Sequence, residues 1–448
     1  MNLVKQSFKK FGTGRKVFYM IVILRRYLHP SNNVLSFGRL MQIKKFDVVI
    51  VGAGPAGCAA AYMLSGKGLR VALLDKDVFP RDKICGDAFG ADVTKQLRLM
   101  NGDLIKKLEQ FPNKIASNGV RFFTPGNTTL DIKFTIPKDK YGGGFVARRF
   151  DFDNFFFLET AKLEDVTIFQ KQQVKEVTIY ADKILLQTSD ILFEAPVALG
   201  ADGAQSILNK RLTDNKVAKD HYCAGLRQYY ANVKGFNEEN HIELHFYKDI
   251  LPGYFWVFPL PGNQANVGLG MLSGVVSKKK MNLKEEMEKL IRTHPNLKER
   301  FKDAIPLETI RGYGLPLGSQ KRSLSGDRFL LLGDAAGLID PFTGEGIANA
   351  IRSGRIAAAH VLKGTAKGSF DAEFNKQYDK EIYHKMWNEF RFGHNMQKLF
   401  CHPAIINFVV KKANKNKSVQ MLLSSMLNNL DMKKELVKPS FYFRLFFT

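Results

Sequence analysis

The pattern of apolar positions first indicates two short strands around a glycine turn. Residues 46–51 read FDVVIV, residues 69–74 read LRVALL, and small and apolar residues recur at helical spacing over about residues 55–67. Short, nearly continuous apolar runs are typical of parallel strands that are buried on both faces. The pattern therefore predicts one βαβ unit: a strand, a turn, a helix and a second strand.

A different pattern follows further along the chain. Residues 222–272 contain alternating runs such as HIELHFY and YFWVFPL, which predict a mostly antiparallel sheet. Residues 328–362 have the pattern of a buried strand, a loop and a helix of small residues, and the chain beyond residue 373 is helical, basic and aromatic. Further strand-like runs lie at residues 120–123, 167–170, 175–179, 184–188 and 197–199.

The charge of the chain changes the picture because it is concentrated at the two ends. The net charge is +24, and residues 1–45 contain ten Lys or Arg and no Asp or Glu, while residues 376–448 contain thirteen Lys or Arg and five acids. A nucleic-acid protein usually interleaves basic and aromatic residues over one face. Here the basic flanks adjoin apolar patches, which favours an anionic membrane surface as partner and no nucleic acid. We expect a cytoplasmic protein that is peripherally associated with a membrane.

The length of the apolar segment in the N-terminal flank and the spacing of the cysteines exclude further classes of structure. Residues 17–24 are eight consecutive apolar residues between basic clusters, whereas a membrane-spanning helix needs about 20. An interfacial helix and a disordered extension both stay open for this segment. The four cysteines have no paired spacing, which predicts reduced thiols and no metal site.

The first strand and helix enclose a glycine motif. Gly52, Gly54 and Gly57 form G-x-G-x-x-G, whose glycines allow a tight turn, a close approach to a pyrophosphate and close packing of helix on strand. The helix then directs its free N–H groups at the phosphates. An acidic residue at the end of the second strand is placed to bind ribose hydroxyls. The cofactor-binding residues predicted from this unit are Gly52, Gly54, Ala56, Gly57, Asp75 and Lys76.

Two later segments specify the dinucleotide. GADGAQS at 200–206 and RFLLLGDAAGLIDPFTGEGIANAI at 328–351 resemble the DG and GD motifs of the flavoprotein hydroxylase superfamily, whose members fold like para-hydroxybenzoate hydroxylase. The resemblance implies FAD as cofactor. It implies that Asp334 binds ribityl or ribose hydroxyls and that the start of the following helix faces the flavin pyrimidine edge. The cofactor-binding residues predicted from these segments are Asp202, Gly203, Asp334, Gly344, Gly346 and Ile347.

Three further segments are similar to the geranylgeranyl reductase family. They are FPRDKICGD at 79–87, the R-x-x-F-D pattern that begins at Arg149, and PGYFWVFPLPGNQANVGLG at 252–270. The resemblance covers roughly residues 46–370. Members of this family use reduced FAD to saturate isoprenoid double bonds on lipids, chlorophyll precursors or quinones. The resemblance implies that Arg149 contacts the FAD pyrophosphate.

The same segments predict further contacts from their own residues. In FPRDKICGD, we expect Arg81 and Lys83 to offset phosphate charge or to close the loop, and the Gly86–Asp87 turn to let the backbone pass close to the flavin. In YFWVFP, one face of a strand carries aromatic rings and the other face carries Phe255 and Val257. Such a row is usually core, but its place opposite the flavin favours a wall for an apolar substrate. The predicted substrate-binding residues are Tyr254, Trp256, Phe258 and Pro259.

Cys85 in FPRDKICGD is the candidate catalytic residue. A lone cysteine is usually a small buried hydrophobe. In the superfamily that this chain resembles, however, this loop runs from the adenosine end toward the flavin ring, which implies that Cys85 faces the flavin or the substrate alkene. Lys83 favours the thiolate, and an apolar pocket favours the neutral thiol. The sequence leaves the protonation state open, and we hypothesise that Cys85 assists protonation of the substrate carbon.

The fold class predicted from these segments is α/β. A discontinuous Rossmann-like FAD-binding domain encloses an inserted, mostly antiparallel substrate domain and is followed by a helical C-terminal region. The boundaries are 1–45 for a basic N-terminal extension that is a candidate for membrane association, 46–125 for the first FAD-binding segment, 126–210 for the second FAD-binding segment with sheet excursions, 211–325 for the substrate-binding sheet domain, 326–372 for the third FAD-binding segment and 373–448 for the basic helical region.

The function expected from the resemblance is FAD-dependent reduction of carbon–carbon double bonds in an isoprenoid lipid or prenyl chain. With one G-x-G-x-x-G motif, a nicotinamide has no Rossmann domain of its own, so the electron donor is either NAD(P)H bound transiently or a reduced electron carrier. The alternatives are an FAD-dependent monooxygenase, hydroxylase or halogenase on the same fold, and a non-catalytic binder of membranes or nucleic acid. The halogenase branch usually has a Trp-rich motif, whereas this chain has two tryptophans, Trp256 and Trp387.

Overall fold

The computed structural model describes residues 33–36, 39–134, 143–417, 419–420 and 423. The strands are β1 Asn33–Ser36, β2 Arg39–Lys45, β3 Val48–Val51, β4 Val71–Leu74, β5 Ala88–Phe89, β6 Ile115–Ser117, β7 Gly119–Phe123, β8 Thr129–Lys133, β9 Gly144–Val146, β10 Val166–Phe169, β11 Glu176–Ile179, β12 Ile184–Gln187, β13 Ile191–Ala195, β14 Val197–Gly200, β15 Tyr222–Ala231, β16 Ile242–His245, β17 Tyr254–Leu260, β18 Gln264–Leu272, β19 Ile305–Pro306, β20 Arg311–Pro316, β21 Ser325–Gly326 and β22 Phe329–Leu331. The α-helices are α1 Pro55–Leu64, α2 Ala91–Met100, α3 Gly102–Glu109, α4 Arg149–Ala161, α5 Ile207–Leu212, α6 Ser273–Lys279, α7 Leu283–Thr293, α8 Pro295–Lys298, α9 Ile347–Lys367, α10 Ala372–Leu399 and α11 Pro403–Lys415.

A six-stranded sheet forms the first layer and has the order β10-β4-β3-β14-β22-β21. Its pairs are parallel except for the antiparallel pair of β21 with β22. β3, β4 and β14 are buried at every position, as expected for parallel strands covered on both faces. Since the central strands come from residues near 50, 200 and 330, the sheet is assembled from three separate regions of the chain.

Helices α1 and α9 pack closely on one face of this sheet. A Cβ at Gly57 would lie 1.9 Å from the Gly52 carbonyl oxygen, and a Cβ at Gly354 would lie 2.4 Å from the Ala56 carbonyl oxygen. Both glycines are therefore needed for the close approach of helix to turn and of helix to helix. This packing places the N-termini of α1 and α9 at the same edge of the sheet, beside the ends of β3 and β22.

An eight-stranded sheet forms the second body of the fold, with the order β19-β15-β18-β17-β16-β7-β8 and with β20 also paired to β15. Its pairs are antiparallel except for the parallel pair of β16 with β7. The boundaries drawn from the sequence place β7 and β8 in the FAD-binding segments. Both strands instead extend this sheet, because β7 pairs with β16 and β8 pairs with β7. Val120, Leu130 and Ile132 of these strands pack with Val410 and Ala413 of α11.

A five-stranded sheet with the order β1-β2-β13-β12-β11 lies beside the six-stranded sheet. β2 falls within residues 1–45, which were predicted to form a basic extension. It pairs in parallel with β13, and Lys45 Nζ lies 3.3 Å from Glu194 Oε1. The sequence did not predict this strand, because its residues are partly basic and its partner lies about 150 residues later. The apolar segment 17–24 lies outside the described residues.

The two C-terminal helices connect the two large sheets. Helix α10 contributes to the core around the six-stranded sheet through Tyr378, Ile382 and Phe390. The C-terminal end of α10 packs with residues of the eight-stranded sheet through Met396 and through Phe400, which directly follows the helix. The helical pattern beyond residue 373 is thus present. Within the described ranges, no helix has the length and apolar character required to span a bilayer.

Candidate active site

A cavity of about 920 Å³ lies between the six-stranded and eight-stranded sheets. It brings together nearly all of the residues predicted from the sequence to bind cofactor or substrate. Gly57 is an exception, because it packs inside the turn, as described above. Pro259 is another and requires a correction: side chains alternate along β17, so Pro259 faces the same side as Phe255 and Val257, away from the cavity. The predicted residues that line the cavity are Gly52, Gly54, Ala56, Asp75, Lys76, Arg81, Cys85, Gly86, Asp87, Arg149, Asp202, Gly203, Tyr254, Trp256, Phe258, Asp334, Gly344, Gly346 and Ile347.

The glycine turn after β3 forms one end of the cavity. Gly52 has φ +102°, and a Cβ there would lie 2.4 Å from the Ala201 carbonyl oxygen. Asp75 holds the turn in place, because its carboxylate accepts hydrogen bonds from Ala53 N at 2.9 Å and Asp77 N at 3.0 Å. A Cβ at Gly54 would meet the Arg81 guanidinium, with Nη2 at 3.5 Å. An open backbone with a cation beside it fits a diphosphate, as FAD requires.

Four charged residues link this turn to α4; Asp75, Arg149 and Asp153 are buried and Arg81 is partly buried. The Arg149 guanidinium makes a two-pronged contact with Asp153, with Nε–Oδ1 at 2.6 Å and Nη2–Oδ2 at 2.8 Å. Arg81 Nη1 lies 3.2 Å from the Asp153 carboxylate, and Arg81 Nε lies 3.7 Å from Asp75. The sequence predicts that Arg149 contacts the pyrophosphate. The structure pairs Arg149 with Asp153 and places Arg81 beside Gly54.

The DG and GD segments form the wall next to this turn. Asp202 Oδ2 accepts a hydrogen bond from Ile207 N at 2.7 Å, which fixes the start of α5. Its Oδ1 is buried without a hydrogen-bond partner among the described residues, and burial raises the pKa of this carboxyl. Asp334 lies in the short helix Gly333–Ala336, where Lys83 Nζ is 3.9 Å from its carboxylate. Such acceptors suit the hydroxyl groups of a ribose or ribityl chain.

The loop before α9 closes the cavity on the side of the antiparallel sheet. Asp340 folds this loop by accepting hydrogen bonds from Phe342 N at 3.0 Å and Thr343 N at 2.9 Å. Tyr254 of β17 donates its hydroxyl proton to the Thr343 carbonyl at 2.6 Å. Gly344, with φ +73°, lets this tyrosine approach, since a Cβ there would lie 3.1 Å from its hydroxyl oxygen. Gly346 and Ile347 at the start of α9 line the cavity, where the N-terminus of a helix favours negative charge.

Asp87 is the hydrogen-bonding centre of the FPRDKICGD loop. Its carboxylate is fully buried and accepts hydrogen bonds from the Tyr229 hydroxyl at 2.7 Å, Asn266 Nδ2 at 2.8 Å and Arg149 N at 3.2 Å. Burial raises the pKa of Asp87 to about 6, because the cost of desolvating the charge outweighs these hydrogen bonds. The sequence predicts a cofactor contact for Asp87. The structure shows a residue that joins the loop to the antiparallel sheet.

Asn266 completes this connection and was missed from the sequence. Its Nδ2 also donates to the Cys85 carbonyl at 2.8 Å, and its Oδ1 accepts a hydrogen bond from Trp256 Nε1 at 2.8 Å. Asn266 lies in the PGYFWVFPLPGNQANVGLG segment, between Pro259 and Gly268. The available signal was a polar residue within an otherwise apolar strand, since buried polar residues are rarely without a partner.

Cys85 lies on the cavity wall in a half-buried position. Burial raises the pKa of its thiol, and the neighbouring Arg149 guanidinium and Lys83 ammonium lower it by less. The structure therefore favours the neutral thiol over the thiolate, a choice that the sequence left open. The adjacent Gly86 lies against the aromatic row, since a Cβ there would be 3.1 Å from Phe258 and 3.6 Å from Trp256.

The inner face of the eight-stranded sheet changes in polarity from one edge to the other. The registers place charged side chains on β20 and β15, glycines at the centre, aromatic rings on β17 and aliphatic or aromatic side chains on β16 and β7. A Cβ at Gly268 would lie 2.1 Å from Trp256 Cζ2, so the indole needs this glycine. The lining residues in this order are Arg311, Tyr313, Arg227, Gly225, Gly268, Gly270, Tyr254, Trp256, Phe258, Ile242, Leu244, Val120 and Phe122.

The charged edge of this face is neutralised within the protein. Arg227 is fully buried, with Nη2 2.7 Å from Asp82 Oδ2 and Nε 3.2 Å from Glu308 Oε1. Arg311 reaches the same Asp82 carboxylate at 2.7 Å. These residues were also missed from the sequence, because their partners come from three distant segments. They hold the start of the FPRDKICGD loop on the sheet.

The raised pKa of Asp87 predicts a specific dependence of stability on pH. The folded protein binds the proton of this carboxyl more tightly than the unfolded chain does, so the contribution of Asp87 is complete below the ordinary pKa of 3.8 and is lost as the pH rises through about 6. Relative to Asp87→Asn, the free energy of unfolding of the natural protein should therefore fall between about pH 4 and pH 7, by roughly 3 kcal/mol at most.

Denaturant unfolding of both proteins across this pH range measures the difference. Other carboxyls titrate in both proteins and cancel. The amide of the variant places an N–H₂ group against one of the donors, which adds a constant penalty but no slope. A difference that does not vary with pH would contradict the assignment.

Two family models match the chain. The model described as geranylgeranyl reductase catalytic domain matches residues 222–312, and the model described as FAD dependent oxidoreductase matches residues 47–83. The first match includes β15 to β18, which carry the inner face. The second includes the glycine turn and Arg81.

Curated relatives cover most of the chain. The digeranylgeranylglycerophospholipid reductase of Methanococcus vannielii is 28% identical over 369 residues, which are 80% of this chain and 88% of the relative. The protein of the same name from Methanocaldococcus jannaschii is 27% identical over 401 residues, 87% of this chain and 93% of the relative. The menaquinone reductase of Mycolicibacterium smegmatis is 29% identical and covers 71% of this chain and 76% of its own length.

Solved structures show the same fold. A geranylgeranyl bacteriochlorophyll reductase-like protein from Thermoplasma acidophilum superposes with a TM-score of 0.73 at 21% identity, covering 88% of this chain and 99% of its own. A mutant of halogenase PltM in complex with FAD superposes with a TM-score of 0.68 at 17% identity, covering 88% and 90%. The predicted α/β fold class is thereby confirmed. The family models, the relatives and the motifs along the cavity together confirm the predicted similarity of this chain to the geranylgeranyl reductase family of FAD-dependent oxidoreductases.

Proposed function

We propose that this protein uses FAD to reduce carbon–carbon double bonds in the prenyl chain of an isoprenoid lipid. The observation that carries the proposal is the continuity of the cavity, which joins the turns that fit FAD to an aromatic and aliphatic surface. A prenyl chain has no polar handle, so a pocket recognises it by shape and apolar contact. The names of the relatives, which include reductases of digeranylgeranylglycerophospholipid and of menaquinone, support a substrate of this chemical class.

The residues present fit FAD as described above. Asp75 and Asp334 would bind hydroxyl groups, Gly52 and Gly54 with Arg81 would hold the diphosphate, and the start of α9 would lie at the flavin ring. FAD, when bound and reduced, supplies the hydride for the double bond. These individual contacts remain predictions.

The residues of the cavity would position the substrate and exclude water from the reacting double bond. Hydrogen bonds fix Trp256 to Asn266 and Tyr254 to the Thr343 carbonyl, so the aromatic row is held rigidly beside the loop that carries Cys85. An unactivated alkene develops little charge before the hydride arrives. Close placement in a pocket that excludes water therefore accounts for much of the expected rate enhancement.

The Cys85 thiol is our candidate for the proton that the second carbon requires. Burial raises the pKa of the thiol and so favours its protonated form, and Cys85 lines the cavity next to Gly86, which lies against the aromatic row. Arg149, whose guanidinium is hydrogen-bonded to Asp153 and lies beside the thiol, would stabilise the thiolate that remains after transfer. Solvent protons would then restore the thiol before the next turnover.

The activity is tested with purified protein loaded with FAD. A visible spectrum first establishes bound flavin, and anaerobic titration with NADPH, NADH and a reduced electron-carrier protein identifies the donor, which we propose to be one of these. Incubation of the reduced protein with geranylgeranyl lipids and menaquinone should yield products heavier by two hydrogens in mass spectra. If every substrate in the panel is recovered unchanged, the proposed reaction is wrong.

The alternative of a monooxygenase or halogenase is separated by the same assay. The likeness to PltM motivates it, although at that identity it shows the fold alone. Such enzymes require oxygen and add an oxygen or halogen atom to the product. A product that forms only in air and carries such an atom would favour the alternative.

The role of Cys85 is tested by Cys85→Ser and Cys85→Ala. We expect both variants to retain FAD and to lose turnover by about 10²-fold or more, because general-acid groups typically contribute this much. Cys401→Ala is the matched control, since Cys401 is exposed. Full turnover in both Cys85 variants would remove the thiol from the mechanism.

We also propose that the protein associates peripherally with the cytoplasmic face of a membrane. The support is the charge of the two ends, with ten Lys or Arg and no acid in residues 1–45. Cosedimentation with anionic vesicles should exceed that with neutral vesicles, should fall with salt, and should weaken in a variant that lacks residues 1–31. Equal sedimentation with both kinds of vesicle would argue against the proposal.

A further inference from the structure

The apolar limb of the cavity has a definite end. By this limb we mean the region lined by Trp256 and Phe258 of β17, Ile242 and Leu244 of β16, and Val120 and Phe122 of β7. The registers pair Trp256 with Leu244 and Leu244 with Phe122, so these three side chains form one row across the sheet. The row starts at the loop that carries Cys85 and runs outward to β7.

The next position in this row belongs to the protein core. Phe122 pairs with Leu130 of β8, and Leu130 is 1% exposed and packs with Val410 of α11 instead of lining the cavity. The neighbouring row behaves in the same way, because Val120 pairs with the fully buried Ile132. Helix α11 therefore covers Leu130 and Ile132, and along these two rows β7 is the last strand that the limb reaches. Phe134, which directly follows β8, also lines the cavity.

The ring of Phe122 is held in place at this end. It stacks on Phe246, with ring centroids 6.0 Å apart and an interplanar angle of 24°. Phe246 in turn contacts Phe400, which directly follows α10, with ring centroids 5.7 Å apart, and Phe400 contacts Phe342 at 4.9 Å. The rings of Phe246, Phe400 and Phe342 thus cover the limb and fix the orientation of Phe122.

The length of the limb limits what it holds. Two strand spacings separate Trp256 from Phe122, which is about 10 Å. The four in-line carbons of an isoprene unit, with single bonds near 1.5 Å, span roughly 5 Å. The limb therefore accommodates about two isoprene units beyond the indole.

We propose that Phe122 determines how far a prenyl chain enters the site and so limits the chain length that binds beyond the reacting bond. This inference rests on the proposed function, because it requires a prenyl chain in the limb. Removing the ring opens space toward Leu130 and Phe392, which belong to the same apolar cluster, and a larger ring shortens the limb. Phe122 is thus a specificity-determining residue that acts through shape.

The test measures binding separately from turnover. The FAD-loaded protein is titrated with prenyl alcohols of two to five isoprene units in mild detergent, with quenching of Trp256 as the signal in a Trp387→Phe background. Each unit that is buried should tighten Kd about tenfold or more, until the limb is full and Kd levels off. In Phe122→Ala the plateau should shift to a chain one unit longer.

Phe123→Ala is the matched control. Phe123 is the next residue of β7, but its ring lies on the opposite face and stacks on His245 with centroids 4.0 Å apart. The control loses the same aromatic ring and should keep the plateau of the natural protein. If Phe122→Ala fails to fold, Phe122→Leu provides the shorter side chain with less loss of packing.

The outcomes separate the two proposals. Prenyl alcohols that bind with a plateau unmoved in the Phe122 variants would overturn the role of Phe122 and leave the proposed function standing. A plateau that moves equally in Phe123→Ala would also overturn it, because the effect would then be one of general loosening. If no prenyl alcohol binds the natural protein, the proposed function fails and this inference fails with it.

Discussion

The buried carboxylate of Asp87 is the interaction on which the geometry of the site depends. Asp87 lies in the loop that follows β4 of the six-stranded sheet. Its carboxylate connects this loop to Tyr229 and Asn266 of the eight-stranded sheet. A buried carboxylate with several donors resists displacement, because each lost hydrogen bond leaves a polar group unpaired in a low dielectric. The two large sheets thus share a fixed contact next to the place where FAD and substrate would meet. The positions of Cys85 and Gly86 follow from it.

Much of this architecture was accessible from the sequence where the determining interactions are local. The glycine turn, the buried strands and the alternation of β17 depend on neighbours within a few residues, and the predicted residues lie together. The Arg149–Asp153 pair was also accessible, since residues four apart on a helix are neighbours. The family pattern instead directed the prediction for Arg149 to the pyrophosphate.

The remaining features depend on contacts between distant segments. β7 is a short alternating run whose place is set by its parallel pairing with β16, and no local signal identifies that partner. Asn266 and Tyr229 acquire their roles because Asp87 lies opposite them in space. Pro259 was assigned to the substrate wall as a member of a motif, although the two-residue period of the strand places it on the other face. A motif identifies a segment, and the pleat of the strand determines which of its residues reach the cavity.

The origin of the six-stranded sheet from three regions of the chain has a consequence for how the protein is made. The turn at Gly52 is completed by Ala201, and β14 needs β22 at its other side. Contacts between segments so far apart form late and slowly, because long loops must close first. During synthesis, the glycine-rich turn therefore emerges from the ribosome long before the strands that complete it. The site that fits FAD is therefore complete only after β22 has been synthesised, and until then β3 and β4 lack part of the structure that buries them.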